Sequence, residues 1–94
     1  MDLNIGHDKL NQKFFIIIDE KEAFLRYRLE GNKKINLIKT YVPPELRGKR
    51  IAEKIVMKGM EYARENNLHV IPTCSYIETF LLRHNEYRKL VDEF

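Results

Sequence analysis

The chain predicts an α+β (α/β) domain: an antiparallel meander of strands, then a parallel β-α-β crossover, then C-terminal helices. Two changes of hydrophobic period carry that prediction. The first half runs as β-rich apolar segments and strict alternation, and near Gly48 the pattern lengthens to that of an amphipathic helix. A short apolar strand then follows the helix, so the strands before and after it must run parallel.

Residues 1–12 are polar and weakly periodic, which suits a short edge strand or a loose segment. Phe14, Phe15, Ile16, Ile17 and Ile18 form an unbroken apolar run within Lys13–Asp19. It is too short for a helix and rich in β-branched and aromatic residues, so a strand buried on both faces is expected. Asp19-Glu20-Lys21-Glu22 reads as a turn. Alternation follows, with Ala23, Leu25, Tyr27 and Leu29 on one face and Arg26, Arg28 and Glu30 on the other. Gly31-Asn32 supplies a hairpin, and Ile35 to Val42 gives a third strand that Pro43 stops.

From about Gly48, Ile51, Ala52, Ile55, Val56, Gly59, Met60 and Ala63 share one helical side, while Glu53, Lys54, Lys58 and Glu61 lie mostly on the other. Asn66-Asn67 is a plausible stop, because asparagine tolerates the left-handed conformation. His69 to Cys74 is the next strand. Ser75 is placed to cap a second helix, with Glu78 at the capping-box position and Ile77, Phe80, Leu81 and His84 at helical spacing. The tail from Asn85 reads as a further turn or two of helix packed through Tyr87, Leu90, Val91 and Phe94.

Composition narrows the function classes. A 94-residue chain forms one domain, residues 1–94, and 44% hydrophobic with 33% charged residues fits a soluble globular protein. No apolar stretch reaches the roughly 20 residues that span a bilayer, and the N-terminus lacks the pattern of a signal peptide, so no membrane partner is expected. The single cysteine, Cys74, forms no internal disulfide, which points to a reducing cytoplasm. Acidic and basic residues are interleaved and the net charge is only +3, so no nucleic-acid partner is expected. His7, His69 and His84 lack metal-ligand spacing, so no metal is expected.

The most informative run is Tyr41-Val42-Pro43-Pro44-Glu45-Leu46-Arg47-Gly48-Lys49-Arg50-Ile51-Ala52. A strand ends in two prolines, a basic loop follows, and a long helix begins. Such a loop aims unpaired backbone N–H groups and the positive end of the helix dipole at one point, where phosphate is the natural occupant. The run lacks the Gly-Lys-Ser/Thr of a Walker loop and the Gly-x-Gly-x-x-Gly of a dinucleotide site.

This run resembles motif A of the GNAT superfamily of acetyl-CoA-dependent N-acyltransferases, Gln/Arg-x-x-Gly-x-Gly/Ala. Arg47 fills the first position, Ala52 the last, and Gly48 the small residue that often follows the arginine. Thr40 to Gly48 and Val70 to Tyr76 are similar to the short, single-domain YjdJ-like branch, and the likeness covers roughly Phe14 to Tyr87. It implies a minimal GNAT fold and acetyl-CoA or coenzyme A as co-substrate. Arg47, Gly48, Lys49, Arg50, Ile51 and Ala52 would then surround the pyrophosphate. The main chain of Tyr41 and Val42 would border pantetheine in a gap between splayed parallel strands, with Ser75 and His84 as further cofactor-binding candidates. Two positions depart from the pattern: Arg50 stands where motif A has glycine, and Lys39 where the short branch commonly has histidine.

Acetyl transfer needs a neutral amine, a polarised thioester and a proton for the leaving thiolate. Many GNAT enzymes supply that proton from a tyrosine, and the corresponding position here falls at or near Phe80, which has none to give. Cys74 and Tyr76 are therefore the catalytic candidates, Cys74 as proton donor or acetyl-carrying nucleophile. A small buried hydrophobe is the competing role for Cys74, and for His84 a helix cap. The short turn after Asp19 leaves no room for the helices that usually wall the acceptor site, so an open site for an amine on a protein, polyamine or small molecule is expected. The resemblance thus implies a monomeric N-acetyltransferase; the other reading is a CoA or acyl-CoA binding module with little or no turnover.

Overall fold

The computed structural model describes residues 4–91. Five strands form one sheet in sequence order: β1 (Gly6–Asp8), β2 (Lys13–Ile18), β3 (Lys21–Glu30), β4 (Lys34–Tyr41) and β5 (His69–Ile71). The first four pair antiparallel and β5 joins β4 in parallel. Helix α1 (Ile51–Glu65) crosses from β4 to β5, and α2 (Tyr76–Arg83) follows. Short 3-10 helices lie at Pro44–Leu46 and Asn85–Leu90.

The amphipathic period of α1 explains its seat. Ile51, Ile55, Val56, Gly59, Met60 and Ala63 are buried, and the helix packs across β2, β3, β4 and β5. Gly59 sits where an added Cβ would meet Leu25 Cδ2 at 2.9 Å, so a glycine permits the close approach of helix and strand. Phe14, Leu25, Ile35, Leu37 and Val70 complete that core from the sheet, and Ile77, Phe80 and Leu81 from α2.

Several expectations are corrected. β2 is buried on one face only: Phe14 and Ile16 face the core, whereas Ile17 is 60% exposed. Among the described residues no helix covers the other face of β2. The turn after β2 is tighter than expected, because Asp19 and Glu20 both take positive φ and β3 already starts at Lys21. Leu29, at the end of the alternating set, is exposed. β5 stops at Ile71 rather than Cys74, since Pro72 has no N–H to continue the ladder. Ser75 is not a side-chain cap: it is already right-handed helical and its hydroxyl makes no capping bond. Instead Ile77 N–H bonds to the Cys74 carbonyl at 3.1 Å. The tail is 3-10 over Asn85–Leu90 with Tyr87 buried; Phe94 lies outside the described residues. Asn67, by contrast, has the expected positive φ, 55°, just past the end of α1.

The sheet contains one irregularity with consequences. Arg26 pairs with Lys39, but Tyr27 pairs with Leu37, so Ile38 is an extra residue on β4. The bulge reverses parity. Ile35 and Leu37 face the core before it, and Thr40, paired with Leu25, does so after it.

Arg50, which stands where motif A has glycine, has a glycine-like backbone. It precedes α1 with φ 60° and ψ 27°, in the left-handed region. A glycine adopts that region without the Cβ–carbonyl clash an arginine incurs. Arg50→Gly is expected to gain about 0.5–1 kcal/mol, the clash relieved less the added freedom of the unfolded chain. Thermal melting checks this; an unchanged or lowered Tm would mean that the left-handed turn carries no strain.

β1 is fastened by one residue. His7 Nε2 lies 2.6 Å from the Tyr27 hydroxyl, and its ring stacks on Phe14 at 4.1 Å and meets Tyr62 edge-on at 4.7 Å. Burial first, then the charges of Lys9 and Lys58, hold the His7 pKa below 6.5, with Asp8 opposing. The folded state therefore binds this proton less readily than the unfolded chain. The contribution is complete above the unfolded value and is lost as pH falls from about 6.5 through the lower folded value. Tm is expected to decline between pH 7.5 and 5, before the carboxylates titrate, and His7→Phe is expected to flatten that part of the profile.

Candidate active site

The site lies where β4 and β5 part. They pair over only three positions, Lys34 with His69, Ile35 with Val70 and Asn36 with Ile71. Beyond these the chain after β5 turns, Thr73 N–H reaching back to the Ile71 carbonyl at 3.0 Å. One more bond ties the two sides, from Cys74 N–H to the Leu37 carbonyl at 2.8 Å. Beside it the Thr73 hydroxyl donates to Asn36 Oδ1 at 2.5 Å, and Asn36 Nδ2 donates to Glu30 at 3.1 Å. Cys74 is buried, its Sγ 3.3 Å from Thr40 Oγ1. The bulge at Ile38 is what turns Thr40 toward this cysteine.

The loop from Tyr41 to α1 is built by local bonds. Pro43 and Pro44 end the strand and start a 3-10 turn in which Leu46 N–H bonds to the Pro43 carbonyl at 2.9 Å. Leu46 is buried and anchors the loop. Arg47 Nε donates to the Val42 carbonyl at 2.9 Å, folding the loop back on the end of β4. Gly48 has φ 82°, and space around its missing Cβ is open, so its role is conformational. The first helical bond of α1 runs from Lys54 N–H to the Arg50 carbonyl at 3.2 Å. The N–H groups of Ile51, Ala52 and Glu53 thus have no acceptor within the helix.

The same three residues border a cavity of about 230 Å³ lined by Val42, Leu46, Arg47, Gly48, Arg50, Ile51, Ala52, Glu53 and Tyr76. Six of the sequence-predicted cofactor residues, Val42, Arg47, Gly48, Arg50, Ile51 and Ala52, are therefore gathered at one place. Tyr76, proposed from sequence as a catalytic group, joins them there, while Cys74 is not part of that wall. Burial first, and then the charge of Glu53, raises the Tyr76 pKa, so its phenol keeps its proton. Tyr41 lies one residue upstream, exposed, its ring against Phe24 at 5.7 Å. Lys49 and Ser75 are exposed and do not line the cavity.

His84 reaches the site through Glu53, a residue that sequence reasoning placed on the solvent side of α1. His84 Nε2 is 2.5 Å from Glu53 Oε1, and the imidazole stacks on Phe80 at 4.5 Å. The hydrogen bond from His84 is the largest cause holding the Glu53 carboxyl below the usual carboxylate range. Nothing in the spacing of two residues 31 apart signals this pair. Tyr87 makes a second tie to α1, its hydroxyl donating to Glu61 at 2.5 Å. Burial, then that bond, pushes its pKa up to about 12. Among the described residues no group of His, Cys, Asp or Glu could hold a metal ion.

Known proteins share this plan. The family model for GCN5-related N-acetyltransferases matches residues 13–90. Protein NATD1 of Danio rerio is 33% identical over 81 residues, covering 84% of this chain and 74% of that protein, and NATD1 of Homo sapiens is 26% identical over 81 residues. A GCN5-like candidate N-acetyltransferase from Staphylococcus aureus, solved by NMR in solution, superposes with a TM-score of 0.75 at 33% identity, covering 98% of this chain and 90% of that one. On this match of sequence and fold, the chain belongs to the GCN5-related N-acetyltransferase family.

Proposed function

We propose that this chain binds acetyl-CoA and transfers its acetyl group to an amine. One observation carries the reading: the open N-terminus of α1, its cationic loop and the parting of β4 from β5 occur at the same end of the sheet. The cavity is the size of a phosphate group or two rather than of a whole cofactor, so the rest of the molecule would extend along the gap. The N–H groups of Ile51, Ala52 and Glu53 would bind pyrophosphate oxygens, with Arg47 and Arg50 adding charge and the Tyr76 phenol a neutral donor. Lys49 is a peripheral cation in this reading, and Ser75 and His84 act from outside the cavity wall, His84 by holding Glu53. Tyr41 and Val42 would border the pantetheine arm.

Acetyl-CoA supplies an activated acyl thioester. In transfer, a C–N bond forms at the amine as the C–S bond breaks, and one proton passes from nitrogen to the leaving sulfur. Cys74, beside Thr40 and bonded to the bulged strand, is the group on this chain best situated to mediate that proton. The second reading is a CoA or acyl-CoA binding module with little or no turnover; the Glu53 carboxylate on the cavity wall opposes phosphate and is a cost to binding that both readings share.

Calorimetric titration with CoA, acetyl-CoA, ATP and duplex DNA tests the binding. Saturable heat with CoA and acetyl-CoA is expected; a response to ATP alone or DNA alone would reject both readings. Gly48→Val forces a β-branched side chain into positive φ at a cost of about 1–2 kcal/mol and is expected to abolish CoA binding while the fold persists. Retained binding would remove the loop from the site. Cys74→Ala is expected to keep CoA affinity and lower acetyl transfer to an amine panel by about 10²-fold or more. Unchanged turnover would leave Cys74 only a packing role.

A further inference from the structure

The face of the sheet turned away from α1 carries a row of cations that the fold neutralises only at one end. Lys13 on β2 pairs in register with Arg26 on β3, and Arg26 pairs with Lys39 on β4. Side chains opposite one another in a ladder point to the same face, and like charges there destabilise the pair. Lys13 is answered by Glu22 at 2.9 Å. Arg26 and Lys39 are exposed and meet no carboxylate among the described residues, although Arg26 lies 5.6 Å from the Phe24 ring centroid. Arg28, on the same face, has only a long contact of 3.8 Å with Glu30. A shallow groove of about 630 Å³ follows the row at Lys13 and Arg26, lined by Asn11, Gln12, Lys13, Arg26, Tyr27, Arg28 and Ile38, with Lys39 next to its Ile38 edge rather than in its lining. None of its lining residues is acidic.

The row ends one residue along β4 from the proposed transfer site but on the opposite face of the sheet, since Lys39 pairs with Arg26 and Thr40 with the core residue Leu25. The β4–β5 ladder, which stops at Asn36 and Ile71, no longer closes the sheet between them. Ile38, the bulge residue, lines the groove; Lys39 follows it, and Thr40 touches Cys74. We propose that this groove is the acceptor site and that the acceptor is an acidic peptide segment presenting a lysine or terminal amine. The proposal names the acceptor and so rests on the acetyl-transfer reading. Arg26 and Lys39 on neighbouring strands, about 5 Å apart, with Arg28 further along β3, suit two or three carboxylates of an extended peptide, while Lys13 at the end of the row is held by Glu22. A polycation such as spermidine would meet repulsion along the whole row. A second copy of the chain would bring Arg26 and Lys39 against themselves, which argues against self-association.

The test uses the full chain and three blocked decapeptides, with one lysine among glutamates, glutamines or arginines. Spermidine and a single-stranded RNA decamer complete the set. Fluorescence anisotropy reads binding without cofactor, and acetylation with acetyl-CoA reads kcat and KM. The acidic peptide is expected to bind about tenfold tighter than the neutral one, with the preference fading as salt is raised. It is also expected to show the lowest KM. The double variant R26E/K39E is expected to erase that preference and leave CoA binding unchanged. Arg26→Glu alone places opposite charges across the ladder and is expected to raise Tm while weakening the acidic peptide, separating loss of recognition from loss of fold. Equal binding of all peptides, preference for spermidine, or binding of RNA but not of the acidic peptide would overturn the proposal. Acidic-peptide binding without any CoA binding would keep the groove and overturn the acetyl-transfer reading; CoA binding and turnover without acidic preference would do the reverse.

Discussion

The short parallel ladder between β4 and β5 is the constraint on which the site depends. Parallel strands bond along their length only if both stay extended, and here three register pairs are made before Pro72 removes the next donor. On the other side of the gap the Ile38 bulge bends β4 and reverses its parity. The two irregularities act together. Without the bulge, Thr40 would face away from Cys74; with a longer β5, the space between the strands would be filled by ladder bonds. The bond from Cys74 N–H to the Leu37 carbonyl then fixes where the opening starts.

Helix α1 is the second organising element, because it is both the main cover of the sheet and the source of the open N–H groups. Its C-terminal segment partners attach on one line: His84 at Glu53 and Tyr87 at Glu61, two turns apart along the helix. These buried or half-buried bonds hold α2 and the following 3-10 turn against α1, and they bring Tyr76 to the cavity. The loop at the helix start is less comfortable. Gly48 and Arg50 both have positive φ within three residues, and only the first is a glycine. Local strain kept at a candidate site, with the core around it closely packed, agrees with a position chosen for something other than stability.

Period and punctuation made most of the fold legible. The apolar face of α1 was read correctly except at Ala52, which is half-buried on the cavity wall, because burial against one sheet leaves a clean helical period. The prolines placed the end of β4 and the asparagines the end of α1, since both act through their own backbone. What failed depended on the surroundings. Five consecutive apolar residues in β2 suggested cover on both faces, yet Ile17 is exposed, and the sequence of a strand does not say how many layers lie over it. Ser75 has a capping residue's chemistry, but the preceding turn had already supplied the Cys74 carbonyl. Five of the six motif residues from Arg47 to Ala52, all but Lys49, line one cavity, whereas Glu53 was invisible as a residue of its wall because its partner lies 31 positions away.

The exposed face of the sheet follows from the tight link between β2 and β3. Asp19 and Glu20 close that hairpin in positive φ, and a two-residue turn leaves no chain with which to build a covering helix. Apolar residues therefore remain at the surface, Ile17 at 60% exposure and Tyr41 at 38%. The cations beside them shield part of that area: Lys13 lies 5.6 Å from the Phe15 ring centroid and Arg26 the same distance from that of Phe24. Shielding alone does not require Arg26 and Lys39 to stand directly opposite one another, where a carboxylate at either position would serve stability better. The arrangement is explained more fully by an anion that lies across both strands, on the face opposite Thr40 and Cys74 and one residue from them along β4. In the proposed geometry the tight turn between β2 and β3 would be part of the recognition, because it places no helix between the charged face and the partner.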